Sequence, residues 1–306
     1  MVDVCLPGTG GMVPLPNRWL TCCWMERQGS AVLVDCGEGT QIALKEAGCK
    51  LNRLDALLIT HFHADHIAGL PGLLLTLSNG GKETPLTLVG PPGLKDIVSA
   101  LLIIAPDLSF SLHFKEVGGA AGQITLSDNL FVSCLALDHR VFCLGYRFEF
   151  RRKPIFNPDK AYKLGVPKTM FQALHAGRSV TLDDGRRIEP DMVLDGLRKP
   201  ITVCYCTDTL FTDSMVDFVS GTDLLISEGM HADESLRGSM VQKKHMLFSD
   251  SARLAQKAEV NQLWLTHYSP ALADPEQQLR DTRIIFSRVT AAYDGIRTTL
   301  EAAADK

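Results

Sequence analysis

The chain has no run of ~18 or more uncharged apolar residues, so no membrane-crossing helix is expected. Its most apolar stretch, 101–105, is a short piece of core. A disulfide framework is also missing: the nine cysteines are odd in number and scattered, and the one close pair, Cys204 and Cys206, lacks C-x-x-C spacing. Buried free thiols in a reduced cytoplasm are the expectation. Residues 1–10 carry an acid and glycines where a secretion signal needs a basic end and a long apolar run. No internal repeat or low-complexity segment occurs. Positive charge is not in excess either: 31 Lys and Arg stand against 35 Asp and Glu, a net −4, which excludes a general nucleic-acid coat and leaves room for a local basic groove.

Core material is plentiful. Apolar residues fill 45% of 306 positions, enough for one α/β domain with an insertion. Strands are predicted at 2–6 and 31–35, with a glycine-rich turn at 8–11 after the first, and at 55–60, an apolar run suited to burial on both faces. Helices are predicted over 67–77 and 93–105, two strands over 130–150, and further strands at 201–206, 223–227 and 262–266. A helix at 249–258, with Ser249 or Asp250 as N-cap, and another near the C-terminus complete the pattern. Alternation of this kind indicates a layered α/β fold. Residues 151–199 differ, opening on Arg151-Arg152-Lys153-Pro154 and closing on Arg198-Lys199-Pro200, and read as an inserted arm within a single domain spanning 1–306.

The strongest signal is His61-Phe62-His63-Ala64-Asp65-His66, directly after the strand ending at Thr60. Residues two apart on an extended segment point the same way, so His61, His63 and Asp65 share a side, and His66 follows as the chain turns into the helix. Imidazoles and a carboxylate crowded this closely need a positive charge among them, and a divalent metal supplies it; this donor set suits zinc. His139, Asp208 and His267 each lie just past a predicted strand, where α/β folds place their sites. Together they make a binuclear site, with His61, His63 and His139 on one ion, Asp65, His66 and His267 on the other, and Asp208 bridging.

H-x-H-x-D-H followed by His, Asp and His resembles the metallo-β-lactamase superfamily. The runs Asp35-Cys-Gly-Glu-Gly-Thr-Gln41, His66-Ile-Ala-Gly-Leu-Pro-Gly-Leu73, Tyr205-Cys-Thr-Asp-Thr209 and Leu265-Thr-His-Tyr-Ser-Pro270 are similar to ribonuclease Z, the family that removes the 3′ trailer from precursor tRNA. The resemblance implies a four-layer αβ/βα sandwich, two zinc ions per subunit (or manganese), a cytoplasmic homodimer, and cleavage leaving a 3′-hydroxyl. It implies Asp65 as both ligand and proton partner of the attacking water, and His245 as general acid. Glu228 falls where the family has an acid after a strand and is expected to orient His245. Lys243 and Lys244 beside His245, with Arg18 and Ser269, are candidate substrate contacts. His113, His175 and His231 match no motif and are assigned to surface or satisfied core.

The chain departs from the family in places. Pro14-Leu-Pro16-Asn-Arg18-Trp19 keeps only the proline and arginine of the P-x-K-x-R-N loop, and Ser269-Pro-Ala-Leu272 lacks the arginine of S-P-R-Y. The family's glycine-proline element is not visible in the arm, where 165–170 is the nearest segment, although Arg151, Arg152, Lys153, Arg186, Arg187, Arg198 and Lys199 supply positive charge there. These changes touch tRNA handling, not metal chemistry. The alternative activity is therefore hydrolysis of small or cyclic phosphodiesters at the same ions. A silent RNA-binding scaffold is a third reading, opposed by the complete ligand set.

Overall fold

The computed structural model describes residues 1–302. With strands numbered along the chain, the first sheet is built from β1 (Val2–Gly8), β2 (Cys22–Arg27), β3 (Ser30–Val34), β4 (Leu54–Leu58), β5 (Leu86–Gly90) and β6 (Leu112–Glu116). The second holds β7 (Ala121–Ser127), β8 (Leu130–Leu137) and β9 (Cys143–Phe150); after the two-stranded ribbon β10 (Val180–Thr181) and β11 (Arg187–Ile188) come β12 (Ile201–Cys206), β13 (Leu224–Glu228), β14 (Leu263–Thr266) and β15 (Val289–Ala291). The last strand, β16 (Ile296–Leu300), returns to the first sheet and pairs antiparallel with β1. The orders are β16-β1-β2-β3-β4-β5-β6 and β15-β14-β13-β12-β9-β8-β7.

Strand alternation sets the layers. In β1, Val2, Val4 and Leu6 enter the core between the sheets while Cys5 faces the opposite side; in β12, Ile201, Val203 and Tyr205 point inward while Cys204 and Cys206 face helices. The helices α1 (Thr40–Glu46), α2 (Ala64–Ile67), α3 (Leu70–Asn79) and α4 (Leu94–Leu101) belong to the first half. α3 buries Leu70, Leu73, Leu74 and Leu77, the stripe of an amphipathic helix, against the outer face of the first sheet. In the arm lie α5 (Pro158–Lys163) and α6 (Phe171–His175); α7 (Asp213–Val219), α8 (Arg237–Lys243), α9 (Phe248–Lys257) and α10 (Arg280–Ile285) follow, with α7, α9 and α10 covering the second sheet. The result is the four-layer αβ/βα sandwich.

The expected helix over 93–105 is α4 with a 3₁₀ turn carrying it to Ile104. Near the C-terminus, α10 is short, and the chain beyond it runs as β15 and β16. The helix expected over 249–258 begins one residue earlier: Leu247 is its N-cap, and Asp250 accepts the Leu247 N–H at 3.1 Å from inside the first turn.

The arm leaves at Phe150 and returns at Ile201, which are register partners. It encloses a small apolar cluster of its own, with Ala161, Val166, Leu174, Leu182, Ile188 and Val193 buried. Asn157 caps α5, its side chain accepting the Lys160 N–H at 3.0 Å. The arm therefore springs from the end of the sheet opposite His139 and Asp208, which lie past the other ends of β8 and β12. Six residues of strand put roughly 20 Å between the two ends.

Candidate metal centre

All seven side chains expected to bind metal meet at one end of the two sheets. His61 lies beyond β4; His63 is the N-cap of α2, which carries Asp65 and His66; His139, Asp208 and His267 lie beyond β8, β12 and β14. Asp208 and His267 adopt left-handed backbone, with φ of 56° and 58°, as does Asp35 beyond β3 at 61°. Non-glycine residues cost about 1–2 kcal/mol in that region. Here it bends the chain sharply at the strand end and aims the side chain into the cluster.

The seven expected donors form two groups, His61, His63, His139 and Asp208, and Asp65, His66 and His267, each with its atoms within 4.8 Å of one another; Asp208 and His267 also meet that distance with His245. Asp208 faces both groups. Its Oδ1 lies 3.2 Å from His267 Nε2 and 3.4 Å from His66 Nε2, and its Oδ2 lies 3.7 Å from both His61 Nε2 and His139 Nε2. His61 Nε2 approaches His63 Nδ1 to 2.9 Å, and His66 Nε2 approaches His267 Nε2 to 3.3 Å. Asp65 Oδ2 is 3.4 Å from His267 Nε2 and accepts the backbone N–H of Met12 at 2.8 Å.

A divalent cation fits this arrangement. Burial drives the His61 imidazole down to about 2 and that of His139 down to about 4, so both are neutral ligands at pH 7. Burial opposes ionisation of Asp208, yet His267, His66 and His61 outweigh it and hold the carboxyl well below the usual range. Asp208 Oδ1 and His267 Nδ1 are buried with no hydrogen-bond partner among the described residues. Buried polar atoms left this way are costly, and for Asp208 Oδ1 a cation placed among converging imidazole nitrogens removes the cost. The site is a metal-binding site.

Around the ligands sits a support that sequence reasoning left without a role. Asp35 is fully buried and accepts from Thr60 N at 2.8 Å and Thr60 Oγ1 at 3.0 Å, with His66 Nδ1 2.8 Å from its Oδ2. It fixes which nitrogen His66 presents to the cluster. Gly37 of the 35–41 run and Gly69 of the 66–73 run have a steric reason: a Cβ at Gly37 would sit 2.1 Å from the Asp65 carbonyl oxygen, and one at Gly69 would sit 1.9 Å from that of Gly37. Gly69→Ala must separate the two turns and should cost about 3 kcal/mol or more, read as a lowered denaturant midpoint together with weaker metal retention.

His245 comes within the same 4.8 Å of Asp208 and His267, and its ring lies 5.2 Å from that of His139 and 5.7 Å from that of His267. Its Nδ1 is 2.8 Å from Glu228 Oε2, and Glu228 Oε1 accepts the Thr209 N–H at 2.6 Å. Burial lowers the His245 imidazole, but the Glu228 carboxylate and the more distant Asp208 and Asp65 carry it up to about 9.

The expected substrate contacts divide. Arg18 donates to the carbonyls of Leu272 at 2.8 Å and Ala273 at 2.9 Å and lies over the Tyr268 ring, so it ties the loop after His267 in place. Lys244 pairs with Asp138. Lys243 and Ser269 line an open cavity beside the cluster, with Arg140 and His231, neither of which the sequence singled out as functional. Arg140 makes no ion pair or hydrogen bond among the described residues, and only its place directly after His139 could have pointed to it. His113 lies exposed on β6, and His175 Nε2 is 3.0 Å from the Pro154 carbonyl oxygen.

Two curated relatives named ribonuclease Z align over nearly the whole chain. That of Lachnoclostridium phytofermentans is 42% identical over 301 residues, covering 98% of each chain, and that of Lachnospira eligens is 44% identical over 295 residues, covering 96% of each. The chain belongs to the ribonuclease Z family. Within that family's fold, the solved human tRNase Z, short form, superposes with a TM-score of 0.70 at 23% identity, covering 98% of this chain and 99% of that one. A family model described as anti-Pycsar protein Apyc1 matches residues 2–102, the first sheet's opening strands through α4 with the His61–His66 turn. The ribonuclease Z match extends over the arm and the second sheet as well.

Proposed function

We propose that the chain is a zinc-dependent endoribonuclease that removes the 3′ trailer from precursor tRNA, acting as a cytoplasmic homodimer with two zinc ions per subunit. The observation that carries this reading is the pairing of a complete seven-ligand cluster with the His245–Glu228 couple in a chain that aligns with ribonuclease Z over 98% of its residues. Among the described residues no helix is long and apolar enough to cross a membrane.

His61, His63 and His139 would hold one ion and Asp65, His66 and His267 the other, with Asp208 shared. Bound divalent cations would neutralise phosphate charge and lower the pKa of water toward ~7. The chain's own groups do the rest. Asp65, steadied by the Met12 N–H, receives the proton of the attacking water. The P–O3′ bond breaks, and His245, whose Nδ1 is engaged by Glu228, gives the Nε2 proton to the leaving 3′ oxygen. The products are a 3′-hydroxyl on the tRNA and a 5′-phosphate on the trailer.

Arg140 and Lys243 are the cations of the cavity beside the cluster and serve the backbone phosphates flanking the scissile bond. The double variant Arg140→Ala/Lys243→Ala should raise KM for precursor tRNA about tenfold. It should also flatten the salt dependence of log kcat/KM by about 1.5, near the ~0.7–0.9 per phosphate contact expected. An unchanged salt slope would remove both from the substrate path.

Eleven basic and six acidic side chains give the arm a net positive charge inside an acidic chain. Part of that charge is paired locally, as in Lys160–Asp195 at 2.7 Å and Arg186–Asp184 at 2.7 Å. Springing from the far end of its own sheet, the arm serves the site of the second subunit. The test of the whole reading is incubation of metal-loaded protein with a precursor tRNA, mapping the cut to the nucleotide. A single cut after the discriminator base is expected; no cut, with brisk hydrolysis of a small phosphodiester, would transfer the function to small substrates.

A further inference from the structure

Eight of the nine cysteines are buried, and Cys49 alone is half-exposed. It lies just past α1 on the wall of an open cavity whose lining includes Cys5, Glu26, Arg53 and Arg297. Cys5 and Arg297 are direct cross-strand partners on β1 and β16. From there the Arg297 guanidinium reaches over to donate to Cys49 Sγ at 3.7 Å. Two acids line the cavity, Asp3 and Glu26, and Glu26 is engaged by its ion pair with Arg53.

We propose that Cys49 and Cys5 form an oxidation site, in which Cys49 attacks a peroxide or a small disulfide and Cys5 resolves the product into an intramolecular disulfide. With hydrogen peroxide, the Cys49 thiolate attacks one oxygen and the O–O bond breaks. This leaves a sulfenic acid and releases hydroxide, which a proton converts to water. The Cys5 sulfur then attacks the sulfenic sulfur, losing its proton, and a second water leaves. Two thiols are oxidised and one peroxide is reduced.

The two sulfurs have opposite characters. Contact with Cys5 and the Arg297 guanidinium lowers the Cys49 thiol against the opposing effect of burial, while Cys5 is raised by Cys49 and by burial and keeps its proton. A half-exposed thiol drawn toward its thiolate by a guanidinium, beside a buried partner that keeps its proton, is the arrangement a resolving pair needs. None of the expected metal ligands lines this cavity, and the proposal does not rest on the substrate reading above.

Trypsin isolates both residues. The peptide 1–18 contains Cys5 as its only cysteine, and the peptide 46–50 contains Cys49 as its only cysteine. Reduced, metal-loaded protein is treated with peroxide, alkylated after denaturation, and digested without reductant. The expected product is the 1–18/46–50 cross-linked peptide, with the other seven cysteines alkylated. In the native reduced protein, iodoacetamide should label Cys49 at least about tenfold faster than any other cysteine, a preference lost in Arg297→Gln. In Cys5→Ser, oxidation should stop at a Cys49 sulfenic acid that dimedone traps. Peroxide that leaves both peptides unlinked, or Cys49 labelling no faster than that of the buried thiols, would overturn the proposal.

Discussion

Asp208→Ala should lower precursor-tRNA cleavage more than about 10³-fold and strip metal from the protein. The magnitude follows from its position. Residues that merely orient a ligand cost about 10–100-fold when lost, and Asp208 presents one oxygen to each donor group, 3.2 Å from His267 and 3.7 Å from His61. His63→Ala should act in the same direction while leaving the Asp65, His66, His267 group intact, so metal analysis should show partial retention for His63→Ala and near-complete loss for Asp208→Ala. Chelation of the wild type should mimic the latter and lower its Tm. Metal at a thousandfold its Kd contributes about 4 kcal/mol to the folded state, which its removal withdraws. A chelated protein with unaltered Tm and activity would dismiss the metal centre as the working site.

His245→Ala should keep its metal and lose about 10²–10⁴-fold in rate on RNA, the usual contribution of a positioned general acid. A ribose 3′ oxygen is a poor leaving group unless protonated, whereas p-nitrophenolate leaves without help. The variant should therefore hydrolyse a p-nitrophenyl phosphodiester at close to the wild-type rate. That contrast separates a lost acid from a collapsed site. Glu228→Gln should give an intermediate loss with a telling pH profile. Burial alone would lower the His245 imidazole, and the Glu228 carboxylate brings it up to about 9. The donating, protonated form is thus present below that value and lost as pH rises through it. Removing the carboxylate should move the alkaline fall in kcat to lower pH. Equal losses on both substrates in His245→Ala, or an unmoved alkaline limb in Glu228→Gln, would take the acid role away from His245.

The sequence by itself determined the metal chemistry. Histidine and aspartate packed into residues 61–66 at the end of an apolar strand leave few arrangements other than a cation site, because such groups cannot share so small a space uncompensated. Apolar strand runs at 2–6, 31–35 and 201–206, alternating along the chain with helical segments, likewise determined the layered α/β class, since the order of strands and helices is legible in local patterning. Position at strand ends brought His139, Asp208 and His267 into the same set.

Only the tertiary structure decided the rest, wherever the deciding contact lies far along the chain. Asp35 gains its role from His66 and Thr60, 31 and 25 positions away, and the left-handed backbone that aims it leaves no mark in composition. Arg18 sits in a motif that suggested substrate contact, yet the carbonyls that hold it belong to residues 272 and 273. β16 was unreadable as a strand because Arg-Thr-Thr between Ile296 and Leu300 makes sense only beside β1, whose Val2 and Leu6 pair with its ends. The exit of the arm from the end of the sheet remote from the ligands is set by the antiparallel pairing of β9 with β12, a register fixed by burial of their alternating faces and invisible to any window of sequence shorter than the sheet itself.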